Sequence, residues 1–416
     1  MKRLRVIFGC YALLAGPAVA GGDFLDRVDD SLTTSALHDA VRLRLSGTLD
    51  LEAYQLRQPA PSLIYSDGSG LFSPRLSLFL DVQIGAHVYV YAQARADRGF
   101  DPGDGGLRGR LDEYALRYTP VDNGRLNFQV GKFATIVGNW MPRHGSWDNP
   151  FITAPLPYSN LTGIWDAMAA RTTDQLFLWA SVRPRPAQGG EYLDKALSVP
   201  IIWGPSYATG AAVFGEIGRF DYAVEMKNVA LASRHAVWDL DGSLWDRPAG
   251  NGRLGYRPNP MWSFGVSAST GSYLRPLAQR TLAPGHGLDD YREFVFGQDS
   301  GFAWHHTQFW AEVYEARFTI PTVGDARTVA YYLEGKQKLT PQLFIALRWN
   351  EQFFSTFRDR TGTAVRWGRD VWRIDIGPGY RFTPHTQLKV QYSLQHEDAD
   401  ARELGHMLAG QFTVRF

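Results

Sequence analysis

The chain reads as all-β: a transmembrane antiparallel up-and-down β-barrel of about eighteen strands, with sixteen as the second count. Three observations predict this. Long segments alternate apolar and polar residues with a period of two. Short and long connections alternate between those segments, and the chain opens on a basic, then apolar, then small-residue stretch. After that opening no apolar run reaches the roughly 18 residues of a membrane helix. Strands need only about 10 residues each to cross a bilayer, with every second one apolar.

The opening stretch is expected to be a cleaved signal peptide, residues 1–20. Lys2, Arg3 and Arg5 make its basic start, Val6 to Ala15 its apolar middle, and Ala18-Val19-Ala20 its cleavage site. Cys10, the only cysteine, leaves with it, which excludes disulfides and cysteine metal sites from the mature chain. The three basic residues leave too, so the formal charge of +1 turns slightly negative. Such a balance gives no argument for nucleic-acid binding. Residues 21–40 read as a short periplasmic lead-in with one or two helical turns, and 41–416 as the barrel.

The first strand sets the pattern. From Val41, one face carries Val41, Leu43, Leu45, Leu49 and Leu51, and the other Arg42, Arg44, Ser46, Thr48, Asp50 and Glu52. Successive strand side chains point to opposite faces, and this run exceeds the usual soluble strand of about 5–6 residues. The alternation recurs in "RLSLFLDVQI", "RLNFQV", "QLFIALRWN" and "TQLKVQYSLQ". Polar faces of this length need water and apolar faces need lipid, and within a bilayer only a closed barrel satisfies every strand's backbone.

Tight connections fall at 84–87, 119–124, 172–174, 217–219, 258–260, 340–342 and 383–386, where proline and glycine fix turns. Between them lie longer polar links, among them 57–72, 98–108, 137–163, 184–206 and 355–370. The chain ends in "MLAGQFTVRF", with Leu408, Phe412, Val414 and terminal Phe416 on one face. This closing strand, with the architecture before it, resembles the bacterial outer-membrane porins. The resemblance implies an outer-membrane location in a Gram-negative-type bacterium, lipid around the barrel, and Leu408, Phe412, Val414 and Phe416 as a signal for the barrel assembly machinery. Homotrimers, common among porins, enter by analogy. The implied function is passive diffusion of small hydrophilic solutes or ions with weak selectivity. A plugged barrel with a structural or envelope-assembly role, and a sugar-specific channel, are the alternatives.

About 16–18 strands leave an aqueous bore, so something must narrow it. The segment 139–163, after the fifth strand, is the third outward loop by count, the one that bends into the channel of general porins. Pro142, Pro150, Pro155 and Pro157 restrict its backbone. Trp140, Trp147, Phe151 and Tyr158 can anchor it, with Arg143, His144 and Asp148 facing the solute. Arg143, His144, Trp147, Asp148 and Tyr158 are therefore the expected constriction. Arg42, Arg44, Arg75, Arg95, Arg117, Lys227, Arg348, Arg373 and Lys389 are expected to line the pore with Asp50, Glu52, Asp81 and Glu225, a mixed set favouring weak anion preference or none. A sugar track would draw on Trp140, Trp147, Tyr158, Trp165, Trp203 and Tyr207. No cofactor, catalytic site or metal site is expected. "GQDSGFAWHH" offers Asp299, Ser300, His305 and His306 without a nucleophile elbow, and Asp97, Asp101 and Asp104 lack the spacing of a calcium loop.

Overall fold

In the computed structural model, residues 24–66, 68–98, 107–181, 195, 197–234, 245–398 and 404–416 are described. The expected signal peptide, Asp101 and Asp104 lie outside them. The barrel strands are β1 (Val41–Leu56), β2 (Gly70–Ile84), β3 (Val88–Asp97), β4 (Arg108–Tyr118), β5 (Asn127–Phe133), β6 (Ala208–Ile217), β7 (Phe220–Lys227) and β8 (Ala249–Asn259). They continue as β9 (Trp262–Ser272), β10 (Arg292–Trp304), β11 (Thr307–Ile320), β12 (Gly324–Lys338), β13 (Leu343–Phe354), β14 (Val371–Arg381), β15 (Thr386–Glu397) and β16 (Gly405–Arg415).

Each pairs antiparallel with the next, and β16 pairs with β1, so sixteen strands close the ring. An α-helix, Phe24–Ser31, and a short strand, Thr33–Ala36, precede β1. That strand pairs with Val41 to Arg44, while β16 pairs with Thr48 to Leu56, so together they cover one edge of β1. Gly47 lies between, exchanging backbone hydrogen bonds of 2.8 and 3.0 Å with Phe416. A Cβ on Gly47 would stand 2.6 Å from the Phe416 ring, so a side chain there would push that ring from its place at the seam.

The count is sixteen, the second expectation, because the two strands expected around a turn at 172–174 do not form. Residues 134–207 make one connection from β5 to β6, and Thr173–Ser181 within it is an α-helix. Leu176 and Trp179, three residues apart, are its buried pair, a helical spacing.

The wall has two polarity zones. Near the turn end and through its middle, apolar side chains face outward and polar ones inward. On β13, Ile345 and Leu347 are exposed while Arg348 and Asn350 are buried. Exposed aromatics ring the turn end, with Phe220, Trp262, Trp304, Tyr380 and Phe382, as interfacial girdles do. Toward the loop end the pattern inverts. β11 buries Tyr314, Ala316, Phe318 and Ile320 inside while Glu315 and Arg317 pair outside at 2.8 Å. Against those inner apolar faces pack Tyr158, Ile164, Trp165 and Ile202 from the 134–207 connection, with Leu274 and Leu288 from the one after β9. The barrel thus holds an apolar core inside its outer half.

Candidate functional site

The long connection enters the lumen at Gly138. Its φ of +83° suits glycine, and a Cβ there would meet the Tyr314 and Tyr158 hydroxyls at 2.1 and 2.3 Å. The Glu312 carboxylate receives the incoming chain. It accepts from the backbone N–H of Asn139 and of Trp140 (2.8 Å), and from the hydroxyls of Tyr158 (2.6 Å) and Tyr314 (3.2 Å).

Further along, the wall grips the segment by its backbone. Gln391 Oε1 accepts from the N–H of Ile152 (2.7 Å) and Thr153 (3.1 Å), and Asn350 Oδ1 from that of Leu156 (3.2 Å). Lys389 Nζ donates to the carbonyls of Ser146, Asn149 and Phe151 at 2.7, 2.9 and 3.2 Å. An ionic row adds charge-assisted bonds, the stronger kind. Arg143 pairs with Glu334, Glu334 with Arg348 (3.3 Å), Arg348 with Asp375 (2.8 Å), and Arg373 with Asp375 (3.2 Å). Arg348 and Arg373 also donate to the carbonyls of Thr153 (3.0 Å) and Ala154 (2.6 Å). The segment is strapped to the β11–β15 wall.

The open space lies on the opposite side. A cavity of about 900 Å³ is lined along β1 from Arg44 to Arg57 and along β16 from Gly405 to Arg415. It is therefore bounded from the turn end to the loop end of the wall. Trp140, His144, Trp147, Asp148 and Tyr158 form part of its loop-side lining, facing Arg75 and Arg95 on β2 and β3. A second recess of about 720 Å³ on the β3–β8 side is lined by Tyr91, Arg117, Gln129 and Phe214. Glu113 and His144 border both.

The expected constriction residues all lie inside the barrel, in different roles. Arg143 is buried, with its guanidinium 4.2 Å from the Trp310 ring and 2.9 Å from the Tyr332 hydroxyl, so it anchors the segment rather than facing a solute. Tyr158 is fully buried against Glu312, and burial beside that carboxylate pushes its hydroxyl pKa well up. His144 Nε2 lies 2.9 Å from the Tyr207 hydroxyl, and burial pushes the imidazole down to about 4. Trp147 sits between the guanidiniums of Arg381 (4.9 Å) and Arg415 (4.1 Å). Asp148 is exposed into the cavity.

The expected lining divides likewise. Arg44, Arg75, Arg95, Arg373, Asp50 and Glu52 line the main cavity, and Arg117 the recess. Arg75 pairs with Asp50 (3.3 Å) and Glu52, and Arg95 with Asp112 (3.0 Å). Arg348, Lys389, Lys227 and Glu225 point inward and are buried. The connection covers the first two, and Lys227 Nζ donates to the Phe133 carbonyl at 2.7 Å. Arg42 and Asp81 lie near the turn end of β1 and β2, on the inner face, outside the cavity lining. Leu408, Phe412 and Val414 lie on the outer face of β16.

The aromatic set offered as a sugar track does not form one row: Trp140, Tyr158, Trp165 and Trp203 belong to the apolar core, and of the six only Trp140, Trp147 and Tyr158 border the main cavity. Trp165 stacks on Trp179 with centroids 4.5 Å apart, Trp203 lies under Arg234, and all six members are buried. Asp299 faces inward to Arg253 (2.9 Å), Ser300 lies on the other face, and His305 and His306 form the β10–β11 turn. These four do not converge. Asp97 pairs with Arg110, and no metal-holding cluster occurs among the described residues. The anchors missed from sequence are Glu312, Asn350 and Gln391. Asn350 and Gln391 occupy inward positions on segments read as alternating, which was the available signal, whereas Glu312 lies on β11, outside those segments.

No family model and no curated protein sequence matches the chain. Solved structures do. Salmonella typhi OmpF in complex with daunomycin is similar at a TM-score of 0.56 and 12% identity, over 92% of this chain and 100% of that one. DcaP, an outer-membrane channel of Acinetobacter baumannii, gives 0.55 and 13%, over 92% and 99%. The anion-selective porin from Comamonas acidovorans gives 0.54 and 11%, over 90% and 100%. Identities this low speak to architecture, and on that evidence the chain has the fold of the outer-membrane porins.

Proposed function

We propose that the protein is an outer-membrane channel for passive diffusion of small hydrophilic solutes or ions, exported through a cleaved signal peptide and narrowed by the segment 139–163. One observation carries this reading: a single cavity bounded by Arg44 and Arg415 at the turn end and by Arg57 and Gly405 at the loop end. Its lining mixes cations and carboxylates, many already paired, which supports weak selectivity. Among proteins of similar fold, one is an anion-selective porin and another a channel.

The test is conductance of the purified protein in planar bilayers, before and after deleting part of 143–157. Open steps that widen on deletion are expected, and unchanged conductance and ion preference would remove the constriction reading. A plugged barrel is the second reading, favoured by the apolar core inside the outer half of the lumen. Silence of the intact protein would select it. A homotrimer and use of the barrel assembly machinery complete the proposal, the first checked by cross-linking in detergent.

A further inference from the structure

At the turn end of the inner wall, cations gather on one contiguous arc. Lys336 and Lys338 lie on β12, Arg381 on β14, Lys389 on β15 and Arg415 on β16. Strand pairing puts them at nearly one level. Lys338 is opposite Phe344, Phe344 opposite Gly379, Gly379 opposite Lys389, and Lys389 opposite Gln411. One step nearer the turns, Arg381 is opposite Gln387, and Gln387 opposite Thr413.

None of the five forms an ion pair with a described carboxylate, unlike the Glu334–Arg348–Asp375 row further toward the loops. Their polar partners are neutral oxygens. Arg381 donates to Gln387 Oε1 (2.9 Å) and the Trp147 carbonyl (3.2 Å), Arg415 Nε to the Pro384 carbonyl (2.7 Å), and Lys389 to three loop carbonyls. Carbonyl dipoles hold these groups in place without cancelling their charge. The Trp147 ring between Arg381 and Arg415 braces both guanidiniums, and the Arg415 Nη groups have no described hydrogen-bond partner. Two acids of the N-terminal segment at this mouth are engaged, Asp29 with Arg44 (3.0 Å) and Asp26 with His385 (2.7 Å). On the loop tip, Asp148, next to Trp147, is exposed into the cavity and has no described ion pair.

Of the five, Arg415 lines the cavity together with Trp147, and Arg381 stands on the other side of that ring. An arc of cations without ion pairs on one wall concentrates counter-ions, and guanidinium forks match carboxylate and phosphate oxygens. We propose that the turn end of the cavity is a binding vestibule for small polyvalent oxyanions bearing carboxylate or phosphate groups. Arg381 and Arg415 supply the contacts, and Asp148 is the loop's own counter-charge, setting how tightly they are held. This rests on the open-channel reading and names its solute class.

The experiment uses the full mature protein in planar bilayers, with citrate and inorganic phosphate as separate probes at constant ionic strength. Both are expected to reduce the current, and the zero-current potential in a KCl gradient is expected to show anion preference. Arg381→Gln with Arg415→Gln should weaken the block about tenfold, and Asp148→Asn should strengthen it about threefold, the scale of one or two charges near a wet wall. Arg415→Lys keeps the charge and should retain most of the block, which separates charge from folding. Arg257→Gln, exposed at the turn end on the other side, should change neither reading. A conducting channel whose block is the same in wild type, the double glutamine variant and Asp148→Asn would overturn the vestibule. If the wild type conducts nothing, the channel reading falls, and calorimetry of citrate with the same detergent-solubilised proteins still decides the vestibule: equal heats in wild type and double variant would end it.

Discussion

Glu312 concentrates the attachment of the long connection on one carboxylate. Two backbone N–H groups and two tyrosine hydroxyls converge on it inside the barrel. A buried donor left without a partner costs about 1–3 kcal/mol. Glu312→Ala is therefore expected to destabilise the packed connection by at least about 3 kcal/mol, seen as a lower melting temperature in detergent and faster proteolysis within 134–207. Glu312→Gln, which keeps the shape and one oxygen, should lose less. His144 gives a pH effect with a definite sign. Its imidazole titrates near 4 in the folded protein against an ordinary value near 6.5. The unfolded chain thus takes up the proton first as pH falls. Stability attributable to this group is full above about pH 6.5 and is lost progressively toward pH 4, by about 3 kcal/mol. Melting temperature measured across that window should fall in wild type and fall less in His144→Gln, which can still bond the Tyr207 hydroxyl. Equal slopes would show that other groups carry the acid response.

Between residue and molecule, the connection 134–207 behaves as an element in its own right, and its entry is Gly138. There φ is positive and two tyrosine hydroxyls occupy the space a side chain would need. Gly138→Ala is expected to cost about 2–4 kcal/mol through strain and overpacking and to raise open-channel noise as the segment loosens. Gly145→Ala, where a Cβ meets nothing within 4 Å, should leave melting and conductance unchanged. The position of this element was legible in the sequence, because proline-broken text between alternating strands marks a loop. Its extent was not. Most of residues 161–170 are buried among protein inside the barrel, so neither lipid nor water imposes a pattern on them. Ile164 and Trp165 are both buried although adjacent, which no strand facing two solvents would allow. The ion-paired anchors were half legible: Arg143 and Arg348 were in view as charged positions facing the bore, while the pairing that turns them into straps depends on contacts such as Arg143 to Glu334, 191 residues apart.

At the scale of the whole barrel, one alternation serves two environments. Where the wall meets lipid, the outward set is Leu347, Ile345, Val390 and Leu408 and the inward set is polar; above that band the outward set becomes Glu315 and Arg317 while Tyr314, Phe318 and Ile320 turn to the core. Along β11, β13, β15 and β16 the parity does not change; only the medium on each side does. This places a limit on the apolar belt that substitution can locate. An arginine facing hydrocarbon near the bilayer midplane costs about 2–4 kcal/mol, falling to about 0–1 near the interface. Leu347, over half exposed on the outer face of β13, lies within the belt, whereas Phe382 belongs to the aromatic ring at the turns. Leu347→Arg should therefore lower folding stability in lipid vesicles by about 2–4 kcal/mol, and Phe382→Arg by about 0–1. In detergent micelles, which adapt to the charge, the difference between the two should shrink. Equal costs at the two positions in vesicles would mean that the bilayer does not sit between the aromatic ring and the polarity inversion, and the assignment of inside and outside to this wall would have to be redrawn.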